Sequence, residues 1–333
     1  MKPGLVFVAA LALVLGGCTG GAQQADNVPV KSKESSDFKV ALLTPGPISD
    51  AGWSALAYKG LQAIQKELGA EINNQQATDA QIKDAMRSYA QKGYQLVIGH
   101  GFEYNSVGVE VAKDFPNTVF VSSSGGETAE NAGAFRFELE DGFYLAGMTA
   151  ALMSKSGKLA MIGGPDVPSI RSTFKAFRAG AEAAKPGIQV IEAFTGKNDD
   201  IAAANQATLK ALEQGADMVI HQANAAAQGV FDACKAKNAM AFGANADQNS
   251  NPSGVVLASA VIVADPAFVT LARKVKDKQY KGAVELFAMD TGAIDFVWNP
   301  SLKDKVPADV VAKVESAKAD IIAHKLKVPM DSF

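Results

Sequence analysis

From Lys39 onward, short runs made mainly of aliphatic and β-branched residues alternate with longer stretches in which apolar residues recur at helical spacing. The first run, Lys39 to Leu43 (KVALL), ends at Thr44-Pro45-Gly46-Pro47; beyond it Trp53, Leu56, Leu61, Ile64 and Leu68 mark one helical face, closed by Gly69. The unit then recurs. Helices are predicted over Ile82 to Gln91, Ser106 to Asp114, Asp141 to Ser154, Phe174 to Ala184, Ile201 to Gln214 and Ala226 to Ala236. Strands are predicted at Gln95 to Ile98, Thr118 to Ser122, Phe135 to Phe137, Lys158 to Ile162, Gln189 to Phe194, Asp217 to His221 and Ala239 to Phe242. A strand apolar at every position suits a sheet covered on both faces, so the alternation predicts an α/β fold with parallel sheets and helical crossovers.

A chain of 333 residues exceeds the ~250 to 300 residues at which one core stops growing, which favours two Rossmann-like lobes. The rival at this length is a (β/α)₈ barrel. Two lobes would bring strand ends rich in Gly, Asn, Ser and Asp onto a shared cleft.

The N-terminus reads as an address. Met1 and Lys2 precede an apolar run from Leu5 to Leu15, shorter than the ~20 residues that span a bilayer and fitting a signal-peptide core. Leu15-Gly16-Gly17-Cys18 resembles the bacterial lipobox, which implies removal of residues 1–17 and a diacylglycerol on Cys18; a plain secretory signal with an incidental cysteine is the alternative. Residues 18–37 are polar and read as a flexible tether. The expected result is a soluble body held by lipid at the membrane's outer face, towards the periplasm or exterior.

Charge and composition narrow the chemistry. A formal charge of −3 supplies no cationic excess for phosphates, so nucleic acid is not expected as a partner. Two cysteines and three histidines leave too little for a disulfide framework or a zinc cluster, and neither metal nor cofactor is expected. No phosphate loop, nucleophile elbow or His-Glu-x-x-His helix occurs, and the chain is not expected to be an enzyme. Ser122-Ser123-Ser124-Gly125-Gly126 reads as a cleft or turn segment.

The loop after the first strand is the strongest candidate for ligand contact, because ligands of open α/β sheets bind outside the carboxyl ends of the strands. Asp50 there can cap the following helix or accept from a ligand. Trp53 can offer a flat stacking face or cover the sheet edge as a core residue. His100 and His221 each follow an aliphatic strand and either read a ligand edge or bond to nearby loops; Phe102, Tyr104 and Asn224 lie on the same two loops. Cys234 sits on a helical apolar face and His324 on the last polar helix.

Five blocks carry a resemblance: Gly46 to Leu61 (GPISDAGWSALAYKGL), Gly101 to Phe120, Phe137 to Gly164, Gly215 to Val230, and Gly243 to Gln248. In this order they resemble the basic membrane protein, or purine nucleoside receptor, family of substrate-binding lipoproteins that feed ATP-driven importers. The resemblance implies a type I periplasmic-binding-protein fold with three interlobe crossovers, near Phe137, Val261 and Phe287. The lobes would be 38–137 with 262–288, and 138–261 with 289–329. It implies a purine nucleoside or nucleobase in the cleft, stacked on Trp53, with Asp50, Thr44, Phe102, Asn224, Asn245 and Asp247 as further contacts.

Several family positions differ. Thr44, Asn245 and Ile262 replace an aspartate, an aspartate and a lysine, and Asn198 stands where many members carry a second aromatic. These departures weaken charged ribose contacts and favour an adenine-like base. The implied partners are a membrane permease and its ATPase, with the receptor expected as a monomer. A sugar receptor of the same fold, a cell-surface nucleoside hydrolase and a ligand-sensing subunit of a signalling protein remain alternatives.

Overall fold

The computed structural model describes residues 37–50 and 52–331. The expected signal peptide, Cys18 and nearly all of the tether lie outside the described residues.

Two six-stranded sheets form the frame. The first is built by β1 (Lys39–Thr44), β2 (Glu71–Gln76), β3 (Leu96–Gly99), β4 (Val119–Ser122), β5 (Ala132–Phe137) and, after a long excursion, β11 (Val284–Phe287), in the order β11-β5-β4-β3-β1-β2. The second holds β6 (Lys158–Gly163), β7 (Gln189–Phe194), β8 (Met218–Gln222), β9 (Met240–Asn245), β10 (Val256–Ile262) and β12 (Ile294–Trp298), in the order β12-β10-β9-β8-β6-β7. Every pairing is parallel except β10 with β12. Two open, doubly wound sheets are not a closed barrel, which removes the rival architecture.

The helices α1 (Trp53–Leu68), α2 (Gln81–Gln91), α3 (Asn105–Ala112) and α8 (Asp265–Lys276) accompany the first sheet. The second is accompanied by α4 (Glu140–Met153), α5 (Pro168–Ala184), α6 (Ile201–Glu213), α7 (Ala227–Ala236) and α9 (Ala308–Ile322). The central strands are buried along nearly their whole length, the pattern expected of sheets covered on both faces. Cys234 is buried on α7, where loss of solvent pushes its thiol up to about 12. His324 lies just past α9 and pairs with Asp290 at 3.3 Å, so it is not on the last helix itself.

Two close approaches set helix geometry. A methyl group on Gly147 of α4 would lie 2.0 Å from the Phe177 carbonyl oxygen, and one on Gly180 of α5 would lie 2.0 Å from that of Tyr144. The pair lets the two backbones touch.

The chain leaves the first sheet after Phe137, returns after Ile262 to add α8 and β11, and leaves again after Phe287. At these crossovers the Asp141 carboxylate accepts the Met289 N–H at 3.1 Å, tying the first passage to the third.

Candidate functional site

The carboxyl ends of both sheets face a cavity of about 680 Å³, within the range of small-molecule sites. Its walls come from the loops after β1, β3 and β4 on one lobe and after β6, β7, β8 and β9 on the other. The lobes come close at the rim: a methyl on Gly52 would meet the Asn224 Cα at 3.5 Å.

The first loop owes its shape to Asp50. Its carboxylate accepts from the backbone N–H groups of Gly52, Ser54 and Ala55, each at 2.9 Å. These donors open α1 and have no partner within the helix, so a carboxylate there satisfies them and complements the helix dipole. Asp50 borders the cavity while serving as the cap.

Trp53 begins α1, half-buried and bordering the cavity. Its indole stacks on His100 with ring centroids 3.8 Å apart and planes 22° from parallel. The indole N–H donates to the His100 carbonyl oxygen at 3.1 Å. One face and the polar edge are thereby fixed by the first lobe.

The histidines divide. His100 is fully buried beneath the indole; neither ring nitrogen has a hydrogen-bond partner among the described residues, and burial lowers its pKa to about 3. His221 accepts the Ala223 N–H at Nδ1, 3.3 Å, so Nε2 carries the proton and donates to Gln248 Oε1 at 2.8 Å. Burial lowers its pKa to about 4. Neither imidazole borders the cavity.

Of the other sequence candidates, Phe102, Asn224 and Asn245 border the cavity, as do Ser123, Ser124, Asn198 and Ile262. Thr44 does not: its buried hydroxyl turns under the loop to donate to the Gly46 carbonyl at 2.9 Å. Asp247 does not either: it is exposed, and its carboxylate accepts the Asn249 N–H at 2.9 Å, closing its own turn. Tyr104 is a core residue whose hydroxyl donates to the Ala77 carbonyl at 2.6 Å.

Sequence reasoning missed the crossover floor. Arg136 and Glu140 both border the cavity and are buried. Arg136 donates to the Asp331 carbonyl at 3.1 Å, while the Glu140 carboxylate accepts from the Ser172 hydroxyl. Ser172 in turn accepts the Asp331 N–H at 2.9 Å. Burial pushes Glu140 up to about 7 despite that hydrogen bond. The available signal was an arginine inside β5, whose residues are otherwise apolar. Gln222, also missed, sits at the end of β8 and borders the cavity.

Two polar atoms on opposite walls lack partners among the described residues: the Ser123 hydroxyl and Asn198 Oδ1. Buried polar atoms left unpaired cost stability, so atoms of this kind bordering a cavity point to a polar guest. No group of three or more His, Cys, Asp or Glu side chains among the described residues could hold a metal ion.

The sequence profile of the family described as "ABC transporter substrate-binding protein PnrA-like" matches residues 38–332. The chain is 28% identical over 316 residues to the transcriptional activator protein Med of Bacillus subtilis, covering 93% of this chain and 94% of that protein. It is 26% identical to the ABC transporter nucleoside-binding protein BmpA of Lactococcus lactis, covering 99% of each. It is 24% identical to a purine-binding protein of Brucella abortus, covering 95% of this chain and 89% of that protein. Among solved structures, an ABC transporter solute-binding protein from Conexibacter woesei superposes with a TM-score of 0.71 at 24% identity, covering 88% of this chain and 99% of that one.

Proposed function

Because this chain belongs to the PnrA-like substrate-binding proteins of ABC transporters, we propose that it captures a purine base or nucleoside between its lobes and delivers it to an importer. The observation that carries the reading is Trp53, an aromatic ring fixed on one face and along its polar edge while bordering a cavity of about 680 Å³. A purine laid on an aromatic face gains about 1 to 3 kcal/mol by analogy with single-strand nucleic acid binding. The relatives described as nucleoside-binding and purine-binding support the ligand class.

Asp50 acts through the loop it caps, holding Trp53 in place. Phe102 from the first lobe and Asn224 and Asn245 from the second complete the enclosure, so a ligand that touches both lobes stabilises the closed state. Binding requires no reaction; the protein is a carrier whose partners are a permease and its ATPase. The lipobox-like segment supports anchoring through Cys18, with the body facing the periplasm or exterior. Among the described residues no helix is long and apolar enough to cross a membrane.

Titration calorimetry with adenine, adenosine, inosine, ribose and glucose tests the reading. Purines bind and free sugars do not if it is right; binding of a free sugar with flat purine titrations overturns it. Recovery of a bound nucleoside as base plus ribose would instead make the protein a hydrolase. Replacing Cys18 by Ser should release the protein from membranes.

A further inference from the structure

Three carboxamides meet on the second lobe's wall. Asn245 donates from Nδ2 to Gln222 Oε1 at 3.1 Å and to Asn224 Oδ1 at 2.9 Å, and all three residues border the cavity. Asn245 is itself buried, whereas Gln222 and Asn224 are half-buried. Both asparagines hold left-handed backbone conformations, φ 68° at Asn245 and 44° at Asn224, which asparagine tolerates far better than a branched side chain.

An amide nitrogen has two hydrogens, and both on Asn245 Nδ2 are committed. Gln222 and Asn224 spend their carbonyl oxygens on Asn245, and their own NH₂ groups have no partner among the described residues. In this arrangement the wall presents donors to a guest. A half-turn of each carboxamide keeps both hydrogen bonds: Asn245 Oδ1 accepts from both neighbours, whose carbonyl oxygens then face the cavity. The centre of the relay can act either way only because it is an amide.

We propose that Gln222, Asn224 and Asn245 form a reversible amide relay in which Asn245, a positioning residue, lets the wall offer donors to a 6-oxopurine or acceptors to a 6-aminopurine. The inference rests on the purine reading of the site and deepens it. The O6 and N7 edge of a 6-oxopurine carries two acceptors, whereas the corresponding edge of a 6-aminopurine carries a donor and an acceptor. A wall fixed in one polarity would separate the two classes; a reversible wall accepts both.

The test compares affinities for adenine and hypoxanthine in the full chain by titration calorimetry. Wild-type protein should bind the two within about tenfold of each other, in the lower part of the roughly 5- to 150-fold range that a well-made fixed pair of base contacts imposes. Asn245→Asp places only acceptors at the centre, so both neighbours must donate inward and turn their oxygens to the guest. Its adenine-to-hypoxanthine affinity ratio should move by more than about fivefold towards adenine, the direction a wall of acceptors requires. Gln222→Glu leaves Asn245 donating but makes one wall position acceptor-only; its ratio should move the same way, and it decides the matter if the first variant does not fold. A structural role alone would weaken both ligands together and leave the ratio unchanged. A wild-type preference beyond about tenfold, or a smaller shift of the ratio in the folded variants, overturns the relay. Flat wild-type titrations with both bases overturn the purine reading itself, and the relay with it, before any substitution is made.

Discussion

Trp53 lies against His100 almost plane to plane, 3.8 Å between ring centroids, and is latched to it a second time through the indole N–H. An imidazole held down to about 3 by burial stays neutral across physiological pH, so the indole rests on an uncharged ring.

Loss of that stacking face should be visible in binding. Trp53→Ala is expected to weaken purine affinity by about 1 to 3 kcal/mol, with Trp53→Phe recovering part of it. His100→Ala should loosen the indole and weaken binding by a smaller amount. Fluorescence anisotropy in a Trp298→Phe background reports the loosening directly. Unchanged affinity in Trp53→Ala would return the ring to a packing role.

Asp50 should matter to folding first and to binding through it. Asp50→Ala strands three backbone donors and is expected to cost about 1 to 2 kcal/mol of stability, as loss of a helix cap does. Asp50→Asn keeps an acceptor and should cost less. Denaturant melts of the two variants check the order.

Burial of ionisable groups at the crossovers and at the ends of β3 and β8 gives stability an opposed pH dependence. Glu140 and Asp141 are pushed up to about 7 and about 6 by burial, from ordinary values of 4.5 and 3.8. The unfolded carboxyls ionise first, so folding loses stability as pH climbs from about 4 towards 7. His100 and His221, ordinarily at 6.5, are held at about 3 and about 4; the unfolded imidazoles gain protons first, so stability falls as pH drops below 6.5. Glu140→Gln removes part of the alkaline loss. It should exceed wild type in unfolding free energy near pH 8 and match it near pH 4, checked by denaturant melts at both values.

The contact between α4 and α5 leaves no room for a side chain. Gly147→Ala places a methyl 2.0 Å from a carbonyl oxygen, and separating the helices should cost about 1 to 3 kcal/mol. Gly157→Ala, at a glycine whose added Cβ would meet nothing within 4 Å but whose φ is 73°, separates backbone strain from this steric cost.

The buried strands were legible because hydrophobic runs such as KVALL and KLAMI leave little choice of environment. β2 was not: its sequence EINNQQ is polar because it is an edge strand, largely exposed. Elements after Phe242 were also missed, among them β10, α8 and β12; of α9 only a last polar helix was expected, without bounds, because its apolar face is weakly patterned. In the site, the first loop could be read from its position after a strand. Arg136 and Glu140 could not, because they reach the cavity through the crossover floor, which only the path of the chain between two sheets creates. Thr44 and Asp247 followed family positions but satisfy their own turns here.

Burial of Cys234 makes an optical assay of lobe motion practical. Its thiol is sequestered in α7 and pushed up to about 12, so it stays protonated and unreactive towards maleimide dyes at neutral pH. In a chain starting after Cys18, one engineered cysteine on each lobe tip would therefore carry a donor and an acceptor fluorophore without a background label, turning ligand capture into a distance trace from single molecules.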